Sequence, residues 1–180
     1  MQKYPNVLLI AGTGRNSGKT TLACKLIEKF SAQLDITAVK ISPHFHQGSS
    51  EIPVILKTDL FSIYRENRLD SGKDSSKMLN SGARKVIYME VKDSSLSEAF
   101  SAFLTLIKTS DAVIIESPAL RNVINPGVFL LVDSKHTVNK KKDVLTWKQS
   151  ADYFMDTSID NPETINDKLK FEGKSWIFQK

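Results

Sequence analysis

The chain has 180 residues, with 25 Lys and Arg against 20 Asp and Glu, a formal net charge of +5 and 41% hydrophobic residues. This composition excludes a largely disordered chain, a collagen-like repeat and a coiled coil, and the length predicts one domain. The single cysteine, Cys24, excludes an internal disulfide, so we expect a cytoplasmic protein. The apolar runs are far shorter than the roughly 20 residues of a membrane-spanning helix, and we expect no membrane association.

The first elements predicted along the chain form a βαβ unit. Residues 6–11 are a continuous apolar run that ends at Gly12, as in a buried parallel strand. Residues 18–34 place apolar side chains at helical spacing, and residues 36–42 form a second strand that ends at Pro43. A glycine-rich turn therefore joins a buried strand to a helix, and the crossover to the next strand should be right-handed.

The rest of the chain continues the alternation of strands and helices. The further predicted elements are a β-hairpin of residues 54–57 and 61–65, a helix at 74–83, a strand at 85–91, a helix at 96–108, strands at 112–116 and 127–132, a helix at 144–155 and a short helix after Pro162. This order predicts an α/β fold with a doubly wound, mostly parallel sheet flanked by helices, like that of P-loop NTPases. We expect a nucleotide-binding domain at residues 1–135, with an insertion at 47–70, and a C-terminal helical extension at 136–180 packed on it.

The turn between the first strand and the first helix is the most informative segment. It has the residue types of a phosphate-binding loop: Gly14, Arg15, Asn16, Ser17, Gly18, Lys19, Thr20 and Thr21. Glycines let successive backbone N–H groups point into one concavity, and the helix N-terminus adds partial positive charge. In this motif Lys19 contacts the β- and γ-phosphates and the Thr20 hydroxyl binds Mg²⁺. The segment therefore predicts a P-loop (Walker A) site, with Thr13 standing where the motif has its first glycine.

A magnesium–phosphate site also needs a carboxylate, usually at the end of a neighbouring strand. Glu116 and Asp133 each stand at the end of a predicted apolar strand. Both would lie at the carboxyl edge of a parallel sheet, where ligands bind in such folds. We predict catalytic roles for Lys19 and Glu116, with Thr20 and Glu116 as magnesium ligands. Asp133 is the alternative carboxylate, or a residue that only begins a turn.

Lys40, His44 and His46 lie in or directly after the second strand. Alternation puts the two imidazoles on one side of an extended segment. A metal site would need a third ligand, and Cys24 lies inside the first helix with no reason to face them. Contact with a phosphate or ligand and a structural role both remain open for the histidines. Lys40 is either a phosphate contact or a strand lysine whose ammonium reaches solvent.

A basic cluster occurs at residues 135–142, without an aromatic side chain interleaved as a stacking platform for bases. We therefore expect a solvated loop and no nucleic-acid partner. Within it, residues 139–143 (Asn-Lys-Lys-Lys-Asp) have one residue more than the Asn-Lys-x-Asp guanine motif of GTPases, and we interpret the similarity as coincidence. Nothing in the sequence selects guanine over adenine.

Three segments in order resemble the molybdopterin-guanine dinucleotide biosynthesis protein B family of P-loop proteins. They are residues 15–22 (RNSGKTTL), residues 39–46 (VKISPHFH), and residues 72–75 (GKDS) followed by 81–83 (SGA). Glu116 then stands where the family has the end of a Val-Glu-Gly strand.

The resemblance implies a GTP-binding protein with weak hydrolysis, often a homodimer, that assists a partner enzyme of molybdenum cofactor biosynthesis. It implies that Lys19 and Thr20 hold the phosphates and Mg²⁺, and that Glu116 takes the acidic role. The further residues that it implies around the same site are Lys40, His44, Lys73 and Asp74.

Three functions remain open from the sequence. The first is an accessory protein that binds GTP or ATP with Mg²⁺ and hydrolyses it slowly. The second is a small-molecule kinase or ATP-dependent ligase of the dethiobiotin-synthetase type, with an acceptor pocket in the insertion at 47–70 and Glu116 or Asp74 as the base. The third, favoured only by the basic charge, is a nucleic-acid-associated NTPase. A kinase would consume ATP only with its acceptor present, whereas an accessory NTPase would turn over slowly without one.

Overall fold

The computed structural model describes residues 1–45, 52–139 and 142–179. Within these ranges, eight strands form one sheet: β1 (Lys3–Gly12), β2 (Ile36–Ser42), β3 (Val54–Lys57), β4 (Phe61–Glu66), β5 (Lys85–Val91), β6 (Ala112–Glu116), β7 (Asn125–Asp133) and β8 (Tyr153–Asp156). A separate hairpin consists of β9 (Leu169–Glu172) and β10 (Ser175–Phe178). The α-helices are α1 (Lys19–Ser31), α2 (Asp74–Asn80), α3 (Leu96–Leu104) and α4 (Val144–Ser150). Over the described part of the chain, none of the helices is both long and apolar enough to cross a membrane.

The order of strands in the sheet is β3-β4-β5-β2-β6-β1-β7-β8. From β5 through β2, β6, β1 and β7 to β8, every pair of neighbouring strands is parallel. At the other edge β3 pairs antiparallel with β4, and β4 pairs antiparallel with β5, so the predicted hairpin is present. The fold is therefore α/β with a mostly parallel central sheet, as expected, and it is compatible with a P-loop-like fold. The chain passes over β6 on its way from β1 to β2, which leaves a crevice beyond the carboxyl ends of these strands.

The central strand β1 is apolar on both faces because helices cover both faces of the sheet. Val7 and Leu9 belong to the apolar core that contains α3, and Leu8 and Ile10 belong to the core that contains α1. All four side chains are fully buried. The continuous apolar run of the sequence thus corresponds to a strand enclosed between two layers of helices.

One predicted helix, at residues 144–155, is wrong in its second half. The helix α4 ends at Ser150, and the following β8 pairs in parallel with β7. Asp152 anchors this change: its N–H donates to the Phe129 carbonyl oxygen at 2.9 Å, and its carboxylate accepts the Phe129 N–H at 2.8 Å. The strand satisfies backbone groups at the edge of β7 that a continued helix would leave unpaired.

The segment at residues 136–180 is accordingly more than a helical extension. Its described part contains α4, the strands β8, β9 and β10, and a 3₁₀ helix at Pro162–Lys168. That 3₁₀ helix is the short helix expected after Pro162. Asn161 caps it, since its side-chain oxygen accepts the N–H of Glu163 at 3.0 Å.

Trp176 of β10 fixes the C-terminal hairpin to the sheet and to α1. Its ring packs edge-to-face on Phe30 with 5.0 Å between centroids, and its Nε1 donates to the Val113 carbonyl oxygen at 3.2 Å. Trp176 and Phe30 belong to the same buried core as the inner face of α1. The C-terminal segment therefore helps to hold α1, the helix that follows the glycine-rich turn.

Candidate functional site

Residues 13–18, between β1 and α1, form a tight loop that we call the glycine-rich loop. Asn16 and Gly18 have φ angles of 61° and 91°, in the left-handed region. Asparagine and glycine are the residue types that tolerate this region best. The loop leads directly into the N-terminus of the 13-residue helix α1, where unpaired N–H groups favour an anion.

Close contacts explain two other glycines around the loop. A Cβ on Gly14 would lie 2.4 Å from the Val138 carbonyl oxygen, and one on Gly12 would lie 2.0 Å from Ser17 Oγ. Arg15 and Val138 also exchange backbone hydrogen bonds of 2.9 and 3.0 Å. The chain that follows β7 therefore packs directly against the glycine-rich loop, and Gly14 is required by a backbone contact that no side-chain rotation could relieve.

Lys19 folds back over the loop that precedes it. Its Nζ donates to the Gly14 carbonyl oxygen at 2.7 Å and to Ser17 Oγ at 3.2 Å. Both acceptors are neutral oxygens, and anionic oxygens accept from an ammonium group more strongly. The Lys19 ammonium group therefore lies against the loop, where it could exchange these acceptors for the oxygens of a bound anion.

Thr13, which replaces the first glycine of the motif, is fully buried. Its hydroxyl donates to Asp133 Oδ1 at 2.6 Å, and its N–H donates to the Val132 carbonyl oxygen at 2.9 Å. Asp133 also accepts the N–H of Ser134 at 2.8 Å. The side chain at this position is thus accommodated by a specific partner, and Asp133, the alternative carboxylate, is engaged at the base of the loop.

Four polar side chains beside the loop form a continuous chain. Thr20 Oγ1 donates to Glu116 Oε2 at 2.8 Å, and Lys40 Nζ donates to Glu116 Oε1 at 2.5 Å. Lys40 also pairs with Asp74 Oδ2 at 3.0 Å. The side chains of Glu116 and Lys40 are only 1% and 17% exposed. The predicted catalytic carboxylate is therefore held between the first turn of α1 and a buried ammonium group.

The strand order explains why these side chains meet. In the sheet, β6 lies between β1 and β2. Glu116 is in register with Ile10 on one side and with Lys40 on the other. Because parallel strands end at the same edge, the end of β6 comes beside the start of the glycine-rich loop.

Lys40 and Asp74 shift each other's pKa. Burial alone would lower the pKa of Lys40, but the adjacent Glu116 and Asp74 carboxylates outweigh it and raise the pKa above its ordinary value. Burial alone would raise the pKa of Asp74, whereas Lys40 and Lys77 together lower it. Lys77 Nζ lies 3.2 Å from Asp74 Oδ1. Lys40 and Asp74 are therefore both charged at neutral pH.

Replacing Asp74 with asparagine is expected to lower the free energy of unfolding at neutral pH and to have less effect in acid. Since the pKa of Asp74 is lower in the folded protein than in the unfolded chain, its stabilisation is present above the unfolded value and is lost as pH falls through the folded value. The side chain is 36% exposed, so solvent screening should keep the difference below about 1 kcal/mol. Urea titrations of wild type and Asp74→Asn at neutral pH and in acid measure it, with Asp93→Asn as an exposed control. A difference that stays constant with pH would contradict the Lys40–Asp74 ion pair.

These groups open into a cleft of about 860 Å³ at the carboxyl edge of the sheet. The predicted site residues that line it are Gly14, Arg15, Lys19, Lys40, His44, Lys73, Asp74 and Glu116. Of the other predicted residues, Asn16 and Thr21 are exposed, Ser17 is buried, and Gly18 and Thr20 are half-buried. His46 lies outside the described residues.

The cleft also has lining residues that the sequence reasoning missed. They are Ile41, Ser42, Pro43, Gly72, Ser75, Tyr88, Pro118 and Asn139. Tyr88 comes to the cleft because it is in register with Lys40 on the adjacent strand, which no pattern in the sequence indicates. For Asn139 a signal did exist, since it begins the segment that we interpret as a coincidental match to the guanine motif.

A buried carboxylate lies beside Tyr88. Glu90 is 2% exposed and accepts hydrogen bonds from the hydroxyls of Tyr88 at 3.1 Å and Tyr64 at 3.3 Å. Burial and the neighbouring Glu90 carboxylate both raise the pKa of Tyr88. The Tyr88 hydroxyl therefore remains a hydrogen-bond donor at the wall of the cleft.

The site has oxygen donors of the kind that Mg²⁺ binds. Across the residues with a described structure, no three His, Cys, Asp or Glu side chains come together as a metal cluster. The hydroxyl of Thr20 and the carboxylate of Glu116 supply two hard oxygen atoms 2.8 Å apart. Mg²⁺ keeps several waters and commonly takes only one or two protein ligands together with substrate phosphates.

Comparison with known proteins identifies no relative. No family model matches the chain, and no match is found among the curated proteins or the solved structures. The function has to be inferred from the chemistry of the site.

Proposed function

We propose that this protein binds a magnesium nucleoside triphosphate, GTP or ATP, in the glycine-rich loop and hydrolyses it slowly. The observation that carries the proposal is the juxtaposition of the loop and Lys19 with the Thr20–Glu116 pair. Backbone N–H groups, a lysine and hard oxygen ligands beside a helix N-terminus are the components that a nucleotide polyphosphate with Mg²⁺ needs.

Each of these residues has a distinct part in binding. Lys19 would exchange its hydrogen bonds to neutral oxygens of the loop for bonds to phosphate oxygens, which are stronger because the acceptor is charged. Thr20 and Glu116 would hold Mg²⁺, which neutralises phosphate charge when it is bound. Lys40 places a second positive charge on the opposite side of Glu116 from Thr20.

Slow hydrolysis is supported by the state of Glu116. Its Oε2 accepts from Thr20 and its Oε1 accepts from Lys40, so the carboxylate is held on both sides by donors of the protein. A general base has to reach the attacking water, and a carboxylate held in this way would have to rearrange first. We therefore favour an accessory NTPase whose nucleotide-bound state acts on a partner enzyme, as the resemblance to the molybdopterin-guanine dinucleotide family implies.

The extent of the cleft favours a second candidate, a small-molecule kinase or ATP-dependent ligase. Besides the residues of the loop, the lining of the cleft includes Pro43, His44, Lys73 and Tyr88. These residues could hold an acceptor next to the bound nucleotide, with Asp74 or Glu116 as the base.

Binding and turnover measurements test the proposal and separate the two candidates. GTP and ATP would compete against a fluorescent nucleotide, with Mg²⁺ and with EDTA, while phosphate release is followed without any second substrate. We expect magnesium-dependent binding and slow phosphate release from the protein alone. ATP consumption that begins only on addition of an acceptor would favour the kinase, and failure of both nucleotides to bind would reject both candidates.

A further inference from the structure

The end of β7 and the residue that follows β8 contact the glycine-rich loop at its two ends. Asp133, the last residue of β7, binds the side chain of Thr13 at the start of the loop. Thr157, directly after β8, hydrogen-bonds to the Ser17 carbonyl oxygen and occupies the space beside Gly18 at the end of the loop. Because β7 and β8 are adjacent parallel strands, both contacts come from one edge of the sheet.

The contact at the start of the loop is a charge-assisted hydrogen bond. The Thr13 hydroxyl lies 2.6 Å from Asp133 Oδ1, and Thr13 is fully buried. Hydrogen bonds from a hydroxyl to a carboxylate are short and about twice as strong as bonds between neutral groups. Thr13 therefore restrains the loop at a position where glycine would leave the backbone free.

The contact at the end of the loop combines hydrogen bonding with packing. The N–H of Thr157 donates to the Asp133 carbonyl oxygen at 2.9 Å. Its hydroxyl is shared between the carbonyl oxygens of Asp133 at 3.1 Å and Ser17 at 3.4 Å. Thr157 Cγ2 lies 3.0 Å from the position of a Cβ on Gly18. Thr157 thus links the end of β7 to the left-handed turn that begins α1.

We propose that Asp133 and Thr157 are positioning residues, which hold the glycine-rich loop in its anion-binding conformation before the nucleotide arrives; this inference rests on the proposed function. If only a fraction of the molecules has a competent loop, the apparent dissociation constant rises in inverse proportion to that fraction. Releasing either contact lowers the fraction, since the loop must then be ordered on binding. Asp133 and Thr157 would therefore influence the affinity of a cleft whose lining includes neither of them.

Amide hydrogen exchange without nucleotide tests whether the two residues hold the loop. Thr13→Val and Thr157→Val each remove a hydroxyl with little change of shape. Thr105→Val is the matched control, since its hydroxyl donates to the Ala102 carbonyl oxygen at 2.8 Å on the exposed end of α3. We expect exchange at residues 13–18 to be about tenfold faster in the first two variants and unchanged in the control.

Nucleotide affinity, measured on the threonine variants and on Asp133→Asn, tests the effect on binding. Thr13→Val, Thr157→Val and Asp133→Asn should each raise the dissociation constant of the magnesium nucleotide by about tenfold. Thr13→Ser keeps the hydroxyl and should bind as the wild type does, and Thr13→Val combined with Asp133→Asn should cost little more than either change alone. Variants with wild-type affinity and a lower unfolding midpoint would show a purely structural role and overturn the inference, as would unchanged exchange in the loop. If the wild-type protein binds no nucleotide, the proposed function fails, while the exchange rates still decide whether Asp133 and Thr157 hold the loop.

Discussion

Replacing Lys19 with alanine should raise the dissociation constant for a magnesium nucleoside triphosphate by about 100-fold or more. The ammonium group already lies against the loop, 2.7 Å from the Gly14 carbonyl oxygen, so little rearrangement is needed for it to reach a phosphate. Its removal deletes hydrogen bonds to a charged acceptor and one positive charge at the mouth of the loop. Fluorescence titration with a labelled nucleotide measures the change.

Lys25→Ala is the matched control for this variant. Lys25 lies on the exposed face of the same helix, so the substitution removes the same charge without touching the loop. The control should bind nucleotide as the wild type does, since one surface charge is largely screened at physiological ionic strength. Equal losses in the two variants would point to general electrostatic attraction, and unchanged binding by Lys19→Ala would remove the phosphate-binding assignment.

Replacing Glu116 with glutamine should lower the turnover number by about 100-fold while changing nucleotide affinity much less. The amide can still accept a hydrogen bond from Thr20, but the negative charge between Thr20 and Lys40 is lost. We also expect a higher Mg²⁺ concentration for half-maximal turnover, because a neutral oxygen is a weaker ligand. Single-turnover phosphate release over a series of Mg²⁺ concentrations measures both effects.

Loss of stability has to be separated from loss of chemistry at Glu116. The carboxylate is 1% exposed, and removing one partner of a buried ion pair typically costs about 3 kcal/mol. In the double variant Glu116→Gln with Lys40→Met, both charges are gone and most of the stability should return, whereas turnover should remain low. Recovery of turnover together with stability would assign Glu116 a structural role, and wild-type turnover in the single variant would move the catalytic role to Asp74, the other carboxylate of the cleft.

The fold of the first half could be read from the sequence because its signals are local. The apolar run of β1, the glycines after it and the helical spacing of α1 lie next to one another in the chain. The second half of the predicted helix at 144–155 failed for the opposite reason. Asp152 directs the chain into β8 through hydrogen bonds to Phe129. The pairing of β8 with β7 is a tertiary effect, which the helical spacing of apolar residues does not predict.

For the candidate site too, local sequence predicts some features, whereas others depend on the folded chain. Glu116 could be predicted because a carboxylate at the end of an apolar strand must lie at the edge of the sheet. Its ion pair with Lys40 forms because β6 lies between β1 and β2. The periodicity of the sequence predicts single strands and does not predict their order in the sheet. The contact of Thr157 with the glycine-rich loop joins residues about 140 positions apart, so that the role of the C-terminal segment becomes visible only in the folded chain.

Backbone amide chemical shifts during a titration with magnesium nucleotide test nucleotide binding in the glycine-rich loop most directly. We expect saturable shifts that are largest at residues 14–20, where the N–H groups of the loop and the first turn of α1 would face the phosphates, with smaller shifts at Lys40 and Glu116. The same titration of Lys19→Ala should need far more nucleotide. Saturable binding that leaves residues 14–20 unshifted, with its largest shifts elsewhere in the chain, would contradict a phosphate site in this loop.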